Sequence, residues 1–449
     1  MARLRDPGAG DREAHAPRGL DAEAVPGRPG GSATAVSGPT HLRPSDLRGI
    51  GRLAVDATLG VADLVEALHH TIARVSPPLG KPPRGRTSGV TGFVYGAVRG
   101  VTGLVGSGID AVLALLPPAL AERPSSRERE AVLAALNGVL GDYLAESGNP
   151  LAIPMRIRRA GVAVETDRAA LDAAFPDASP RIAVFVHGLC MNDLQWTREG
   201  YDHGAFLARE TGLTPVYLHY DSGRHISTNG QAFAATLEAL VREWPVPVEE
   251  LAIVGHSMGG LVARSACHYG GVAGHAWTAK LGALFFLGTP HHGAPLERGG
   301  NWVDLLLDAS PYSAPFARLG RIRSAGITDL RHGAIVQEDW AGKDRFARRP
   351  APRHTPALPR GVRCYALAAT TGDRPGSLVD RVAGDGLVPL SSALGRHAAT
   401  SRDLGIPLAR QWVGVRMDHL DLLCSREAGE YMVRWLAEGA GEPGGSLSG

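Results

Sequence analysis

The segment Val254-Gly255-His256-Ser257-Met258-Gly259-Gly260 restricts the fold of this chain more than any other. An apolar run, Leu251 to Val254, leads into it, and a small-residue stretch suited to a helix, Leu261 to Cys267, leads out. A serine between two glycines at a strand-to-helix junction sits on a sharp turn that strains its backbone. Gly255 and Gly259 lack the β-carbons that would strike neighbouring backbone there. Ser257 is thereby presented at the tip of a strand, where its Oγ can meet a base and a carbonyl carbon together. Glycine and serine are common, so the weight of the signal comes from the strand before it and the helix after it.

A serine so placed needs a base, a group that orients the base, and donors for a developing oxyanion. Downstream lies Ala383-Gly384-Asp385-Gly386-Leu387-Val388-Pro389, which puts Asp385 in a glycine-flanked loop after a strand candidate, Val362 to Ala369. Gln411 to Arg416 reads as the last strand and runs into Met417-Asp418-His419-Leu420, so His419 occupies the loop that follows. Asp380 and the more distant Asp373 compete with Asp385, and the DGxVP context favours Asp385. Asp418 and Asp421 flank His419 but are poorly placed to orient it. Upstream, Ile182 to Val186 has a buried-strand pattern and is followed by His187-Gly188-Leu189. The N–H groups of Leu189 and of Met258 are the expected oxyanion donors, each typically contributing roughly 3 kcal/mol. His187 reads as a structural donor for that loop, and His256 as a residue that shapes the pocket.

Taken together, VFVHGL, GHSMGG, LGTPHHG, GDGLVP and DHLDLL resemble the α/β-hydrolase lipases and esterases, especially the PGAP1-like group of acyl-ester deacylases. The resemblance covers about Pro150 to Leu436. It implies an α/β-hydrolase fold with Ser257 as nucleophile, Asp385 as acid, His419 as base and Leu189 at the oxyanion hole. It does not extend to a GPI substrate, because the chain shows none of the many membrane spans of the eukaryotic deacylase.

Strand and helix candidates alternate beyond these motifs. Met155 to Thr166 reads as a hairpin turning at Gly161, Pro215 to Tyr220 as a strand, Ser227 to Trp244 as a helix, and Lys280 to Pro290 as a central buried strand. That alternation predicts a mostly parallel sheet with helices on both faces. The strand pattern stops from about 291 to 360, where Trp302 to Leu307 and Ile322 to Leu330 are short helix candidates; fold-level analogy makes this a cap or lid. The catalytic domain is expected over 149–438.

Residues 1–46, rich in Arg, Pro and Gly with no apolar core, read as a disordered leader rather than a secretory signal, and 439–449 as a disordered tail. Between them and the catalytic domain, 47–148 reads as helical, with amphipathic spacing over Leu47 to Val75 and again over Arg127 to Tyr143. Within it, 88–116 is glycine-rich and apolar, with Gly92, Gly96, Gly100 and Gly103 forming a small-residue ridge. Three readings stand: a soluble hairpin packed on the catalytic domain, an interfacial helix lying on a membrane, or a span. Arg99 and Asp110 oppose the span, since a charge at the bilayer centre costs roughly 3 kcal/mol.

Lys and Arg number 47 against 45 Asp and Glu, so no net basic field argues for nucleic acid. The four cysteines, Cys190, Cys267, Cys364 and Cys424, form no C-x-x-C pair and mostly lie in or beside apolar segments, which reads as buried thiols and fits a cytoplasmic setting. His291 and His292 diverge as neighbours and have no acidic or cysteine ligand at metal spacing, so they read as rim supports and no metal is expected. The expected activity is hydrolysis of a lipidic or medium-chain acyl ester through an acyl-enzyme, without cofactor. Alternatives are an acyltransferase using the same triad and an inactive, membrane-associated adaptor. Oligomeric state is not legible.

Overall fold

The computed structural model of the chain describes residues 43–73, 96–97, 99–104, 107, 125–294, 324–343, 354–375 and 384–439. Helices α1 (Pro44–Ala73) and α2 (Arg127–Glu146) precede the sheet. Ser126 caps α2 by accepting the Arg129 N–H. A hairpin follows, β1 (Arg156–Arg159) and β2 (Val162–Val164), with positive φ at both Ala160 and Gly161 in its turn. Next come α3 (Arg168–Ala174), β3 (Arg181–Val186), the short pair β4 (Thr197–Arg198) and β5 (Tyr201–Asp202), and α4 (His203–Thr211). They lead to β6 (Thr214–His219), α5 (Ile226–Glu243), β7 (Glu250–His256), α6 (Met258–Ala273) and β8 (Leu281–Leu287). The last elements are α7 (Ala325–His332), β9 (Arg363–Thr370), α8 (Leu390–Ala393), β10 (Gln411–Val415) and α9 (Arg426–Gly439).

The main sheet has eight strands in the order β10-β9-β8-β7-β3-β6-β1-β2. Pairings from β10 through β6 are parallel, and only the β6–β1–β2 edge is antiparallel. The expected mostly parallel sheet is therefore present, with one hairpin closing an edge.

Period-two alternation sorts the central strands onto two faces. Val184, Val186, Ile253 and Phe286 pack in one cluster with Leu237 of α5 and Leu261 of α6. Ala183, Phe185, Val254 and Phe285 pack in the other with Leu207 of α4 and Met432 of α9. Both faces are thus covered, which explains why β3, β7 and β8 read as continuous apolar runs.

Helix α2 belongs to the first of these cores. Ala135 and Val139 are fully buried there alongside Leu189 and Cys190, so the helical region and the catalytic domain share one interior across 148/149. Small residues make the docking possible: a β-carbon on Gly138 would lie 2.3 Å from Cys190 Sγ, and one on Gly141 would overlap the Asp221 carboxylate. A buried ion network ties α1, α2 and β1 together. Arg158 reaches Glu130 at 2.8 Å and Asp193 at 2.7 Å, while Arg129 holds Asp46 at 2.5 Å. Asp46, which composition assigns to the leader, is therefore fixed in the first turn of α1.

Of the 88–116 segment, the described residues are helical. Arg99 pairs with Asp63 of α1 at 2.8 Å. Among the described residues, nothing lies within 4 Å of where a β-carbon on Gly96, Gly100 or Gly103 would be. Val101 and Leu104 are exposed. Among the described residues no helix is long and apolar enough to cross a membrane. The 302–307 helix candidate and Asp380 lie outside the described residues.

Candidate active site

Strand β7 is hydrogen-bonded on both sides, to β3 and β8, and ends one residue before Ser257. The chain then reverses into α6 with Ser257 at φ 53° and ψ −123°. A non-glycine residue held there stores roughly 1–3 kcal/mol of strain. The Ser257 N–H donates to Leu287 O at 2.8 Å, which pins the turn to the end of β8. Its two flanking glycines are set by close approach. A β-carbon on Gly259 would sit 2.1 Å from Val186 O, and one on Gly255 2.6 Å from Gly260.

The loop after β10 brings His419 to the same place. A β-carbon on Gly288, the residue after β8, would lie 3.0 Å from His419 Cε1, so the imidazole rests against the strand end that also holds Ser257. His419 Nδ1 and Asp385 Oδ2 are 2.7 Å apart, both residues buried. A carboxylate only accepts, so Nδ1 carries the proton and Nε2 presents a lone pair. Asp385 Oδ1 is engaged separately by the N–H groups of Leu387 at 3.0 Å and Val388 at 2.8 Å. The His419 N–H donates to Asp385 O at 3.1 Å, which locks the two loops together through the main chain as well.

Ser257 Oγ and His419 Nε2 are both buried and, among the described residues, have no hydrogen-bond partner. They are the two atoms that serine–histidine chemistry would bring into contact, and such contacts are commonly loose until substrate arrives. The competing carboxylates among the described residues are occupied elsewhere. Asp373 pairs with Arg416 at the surface, and Asp418 and Asp421 cap the main chain of their own loop.

The loop after β3 lies directly beside the serine. A β-carbon on Gly188 would be 3.1 Å from Ser257 Cβ, and Leu189 follows, fully buried. Met258 opens α6, where an N–H has no acceptor within its own helix. His187 braces this loop. Its Nδ1–H donates to Gly188 O at 2.9 Å, and Tyr220 returns a 2.8 Å hydrogen bond to His187 O. Burial pushes the His187 imidazole down to about 4, so it remains neutral.

Three braces join distant parts of the chain; of the residues that make them, the sequence singles out only His256, as one that shapes the pocket. Ser222 Oγ accepts the Cys190 N–H at 3.0 Å and fixes the far end of the loop, with Cys190 itself at φ 58°. His256 Nε2 donates to His419 O at 3.1 Å, and His203 Nε2 to Leu422 O at 2.8 Å, so two buried histidines hold the His419 loop. Each joins residues far apart in the chain, which spacing cannot reveal. Burial also drives the Cys190 thiol up to about 12, which leaves it no nucleophilic role beside the serine. Among the described residues no cluster of His, Cys, Asp or Glu could hold a metal ion.

Residues 179–356 match the PGAP1-like alpha/beta domain. No curated protein matches the chain. Among solved structures, the mature lipase BlEst2 of Bacillus licheniformis is 19% identical over 63% of this chain and 98% of its own, with a TM-score of 0.39. A lipase-esterase related protein of Clostridium acetobutylicum is 10% identical over 58% of this chain and 94% of its own, with a TM-score of 0.30. An esterase of Pyrococcus furiosus is 14% identical over 58% of this chain and 81% of its own, with a TM-score of 0.33. The sheet order and the strained serine at the end of β7 are those of an α/β-hydrolase fold, within which residues 179–356 are similar to the PGAP1-like alpha/beta domain.

Proposed function

We propose that this protein is a serine carboxylic-ester hydrolase working through an acyl-enzyme on Ser257. The observation that carries the reading is a strained serine beside a buried His419–Asp385 pair at 2.7 Å, each from a different loop at one end of the sheet. His419 Nε2 takes the Ser257 proton as Oγ attacks the ester carbonyl. Asp385 keeps the proton on Nδ1 and stabilises the imidazolium that forms. The oxyanion is held by the Leu189 and Met258 N–H groups. Collapse expels the alcohol, protonated by His419, and water repeats the sequence on the acyl-serine.

The substrate class we favour is a lipidic or medium-chain acyl ester. Support comes from the short apolar run Trp302 to Leu307 in the cap region of the sequence and from the exposed Val101 and Leu104, which suit contact with a lipid surface. The test is fluorophosphonate labelling of the wild type and of Ser257→Ala, followed by hydrolysis of p-nitrophenyl esters from acetate to palmitate with and without liposomes. Labelling that vanishes in the variant, with an optimum beyond short chains, is the expected result. Full esterase activity in Ser257→Ala would sink the assignment.

A further inference from the structure

The turn that follows β6 is seated on α2 through glycines on both sides of the contact. A β-carbon on Gly223 would lie 2.0 Å from Asn137 O, and one on Gly141 would lie 1.8 Å from Asp221 Oδ1 and 2.7 Å from Oδ2. The Asp221 carboxyl therefore rests on the main chain of α2, and the residue is 2% exposed. Its Oδ1 accepts the Gly223 N–H at 2.9 Å, while Oδ2 is buried with no hydrogen-bond partner among the described residues. A carboxylate there gives up its hydration for one good hydrogen bond. The protonated acid gives up far less.

The groups that face Asp221 do not restore the balance. On α2, Asp142 acts on it with the same sign, its own Oδ2 taking the Ala325 N–H at 3.0 Å. Arg224, in the turn itself, opposes that effect. Helix α5 contributes the neutral Asn229, whose Nδ2 donates to Asp221 O at 2.8 Å. On α7, Asp329 is held by His225 at 3.0 Å and by the Ile226 N–H at 2.9 Å. From the loop after β3 comes Cys190, whose thiol burial keeps protonated. Burial leads and Asp142 adds to it, so the Asp221 carboxyl is pushed up to about 7.

Between Asp221 and Gly223 stands Ser222, whose Oγ accepts the Cys190 N–H at 3.0 Å, one residue beyond Leu189. Whatever seats the turn on α2 also seats the loop after β3. We propose that Asp221 is a proton-operated latch on that loop. As the neutral acid it lets the turn lie on α2 and hold residues 187–190 through Ser222, and loss of its proton releases both. The consequence for turnover rests on the reading of Leu189 as an oxyanion donor; the latch itself does not. Because the folded state raises this carboxyl above its ordinary 3.8, the latch is firm below pH 4 and weakens as pH rises to 7. From those two values the equilibrium constant for opening grows on the order of 100-fold between pH 5 and pH 8.

Amide hydrogen exchange of the full chain, corrected for the intrinsic effect of pH, reads this opening without any need for activity. Protection of the Cys190 amide should fall on the order of 100-fold from pH 5 to pH 8 and stay below that of the β7 amides throughout. Asp221→Asn, neutral at every pH, should hold that protection constant. With a soluble ester, kcat of Asp221→Asn relative to the wild type should rise across the same range. Constant Cys190 protection in the wild type, a fall that persists in Asp221→Asn, one shared protection factor for Cys190 and β7 at every pH, or a flat kcat ratio overturns the proposal. Absence of ester turnover at both pH values beside the expected exchange pattern refutes the hydrolase reading alone.

Discussion

Replacing Gly138 by alanine tests whether α2 sets the geometry of the oxyanion loop. The new methyl would start 2.3 Å from Cys190 Sγ, where ordinary contact begins at 3.4 Å, so something must retreat by about 1.1 Å. The helix is the stiffer partner. Gly138 O accepts from Ser324 Oγ at 2.7 Å, and Asn137 bonds the main chain of Leu151 and Ile153 at 2.8 and 2.9 Å. Cys190 is the weaker one, already at φ 58° and one residue from the Leu189 N–H. Overpacking costs roughly 1–3 kcal/mol. The helix propensity of alanine over glycine returns about 1. The net loss of stability is then on the order of 1 kcal/mol, a small effect. The effect on rate is larger, because a displacement of about 1 Å at a donor loop can lower turnover about 100-fold. Esterase kcat/KM and urea midpoints should be measured for Gly138→Ala, Cys190→Ala and the double variant. Cys190→Ala removes the most closely struck atom, leaving the main-chain Cα and N of residue 190 at 3.0 and 3.1 Å, and should restore part of the activity. If Gly138→Ala turns over normally, or if the double variant stays as slow as the single, the helix does not control the loop and the reasoning fails.

Asp385→Asn should keep the fold but lower kcat about 10⁴-fold, since the amide cannot hold His419 in the Nδ1–H tautomer; circular dichroism beside kinetics separates the two effects. Arg158→Met leaves Glu130 and Asp193 buried without their shared cation and should cost roughly 3–5 kcal/mol in chemical denaturation. Burial pushes the Asp221 carboxyl up to about 7 from 3.8, so the folded state holds this proton more tightly than the unfolded chain. Its contribution is complete below pH 4 and is lost as pH rises to 7, a swing of up to about 4 kcal/mol. Asp221→Asn should therefore narrow the stability gap between pH 5 and pH 8; an unchanged gap assigns the pH dependence elsewhere. His256→Phe removes the donor to His419 O and should reduce kcat more than it raises KM, checked with a soluble short-chain ester.

The parts of the site that were legible in the sequence are those whose geometry is local. The turn at Ser257 needs glycines because β7, β3 and α6 converge there, and that demand is written within five residues. Asp385 likewise sits in a tight loop whose Leu387 and Val388 N–H groups come from its own motif. The strands were legible because two-sided burial leaves them apolar throughout. The role of α2 was not. Its pattern shows one apolar face, and nothing in it says that Gly138 and Gly141 rest on Cys190 and Asp221 rather than on a neighbouring helix. The braces from Ser222 and His203 were hidden for the same reason, and so was the partner of His256, since each is a contact between distant segments. Asp46 shows the limit of composition: a charged residue in a polar stretch read as leader, while its partner Arg129 lies 83 residues away.

Ser257 and His419 are each 1% exposed, and this burial has a kinetic consequence for a two-step reaction. On the proposed acyl-enzyme route the pocket is reached twice in every cycle, first by the ester and then by the water that releases the acid. An irreversible phosphonate reports only the first admission, whereas steady-state turnover averages both. Any condition that eases entry of a bulky acyl chain without easing entry of water will therefore speed labelling while leaving turnover unmoved, and the acyl-enzyme will accumulate.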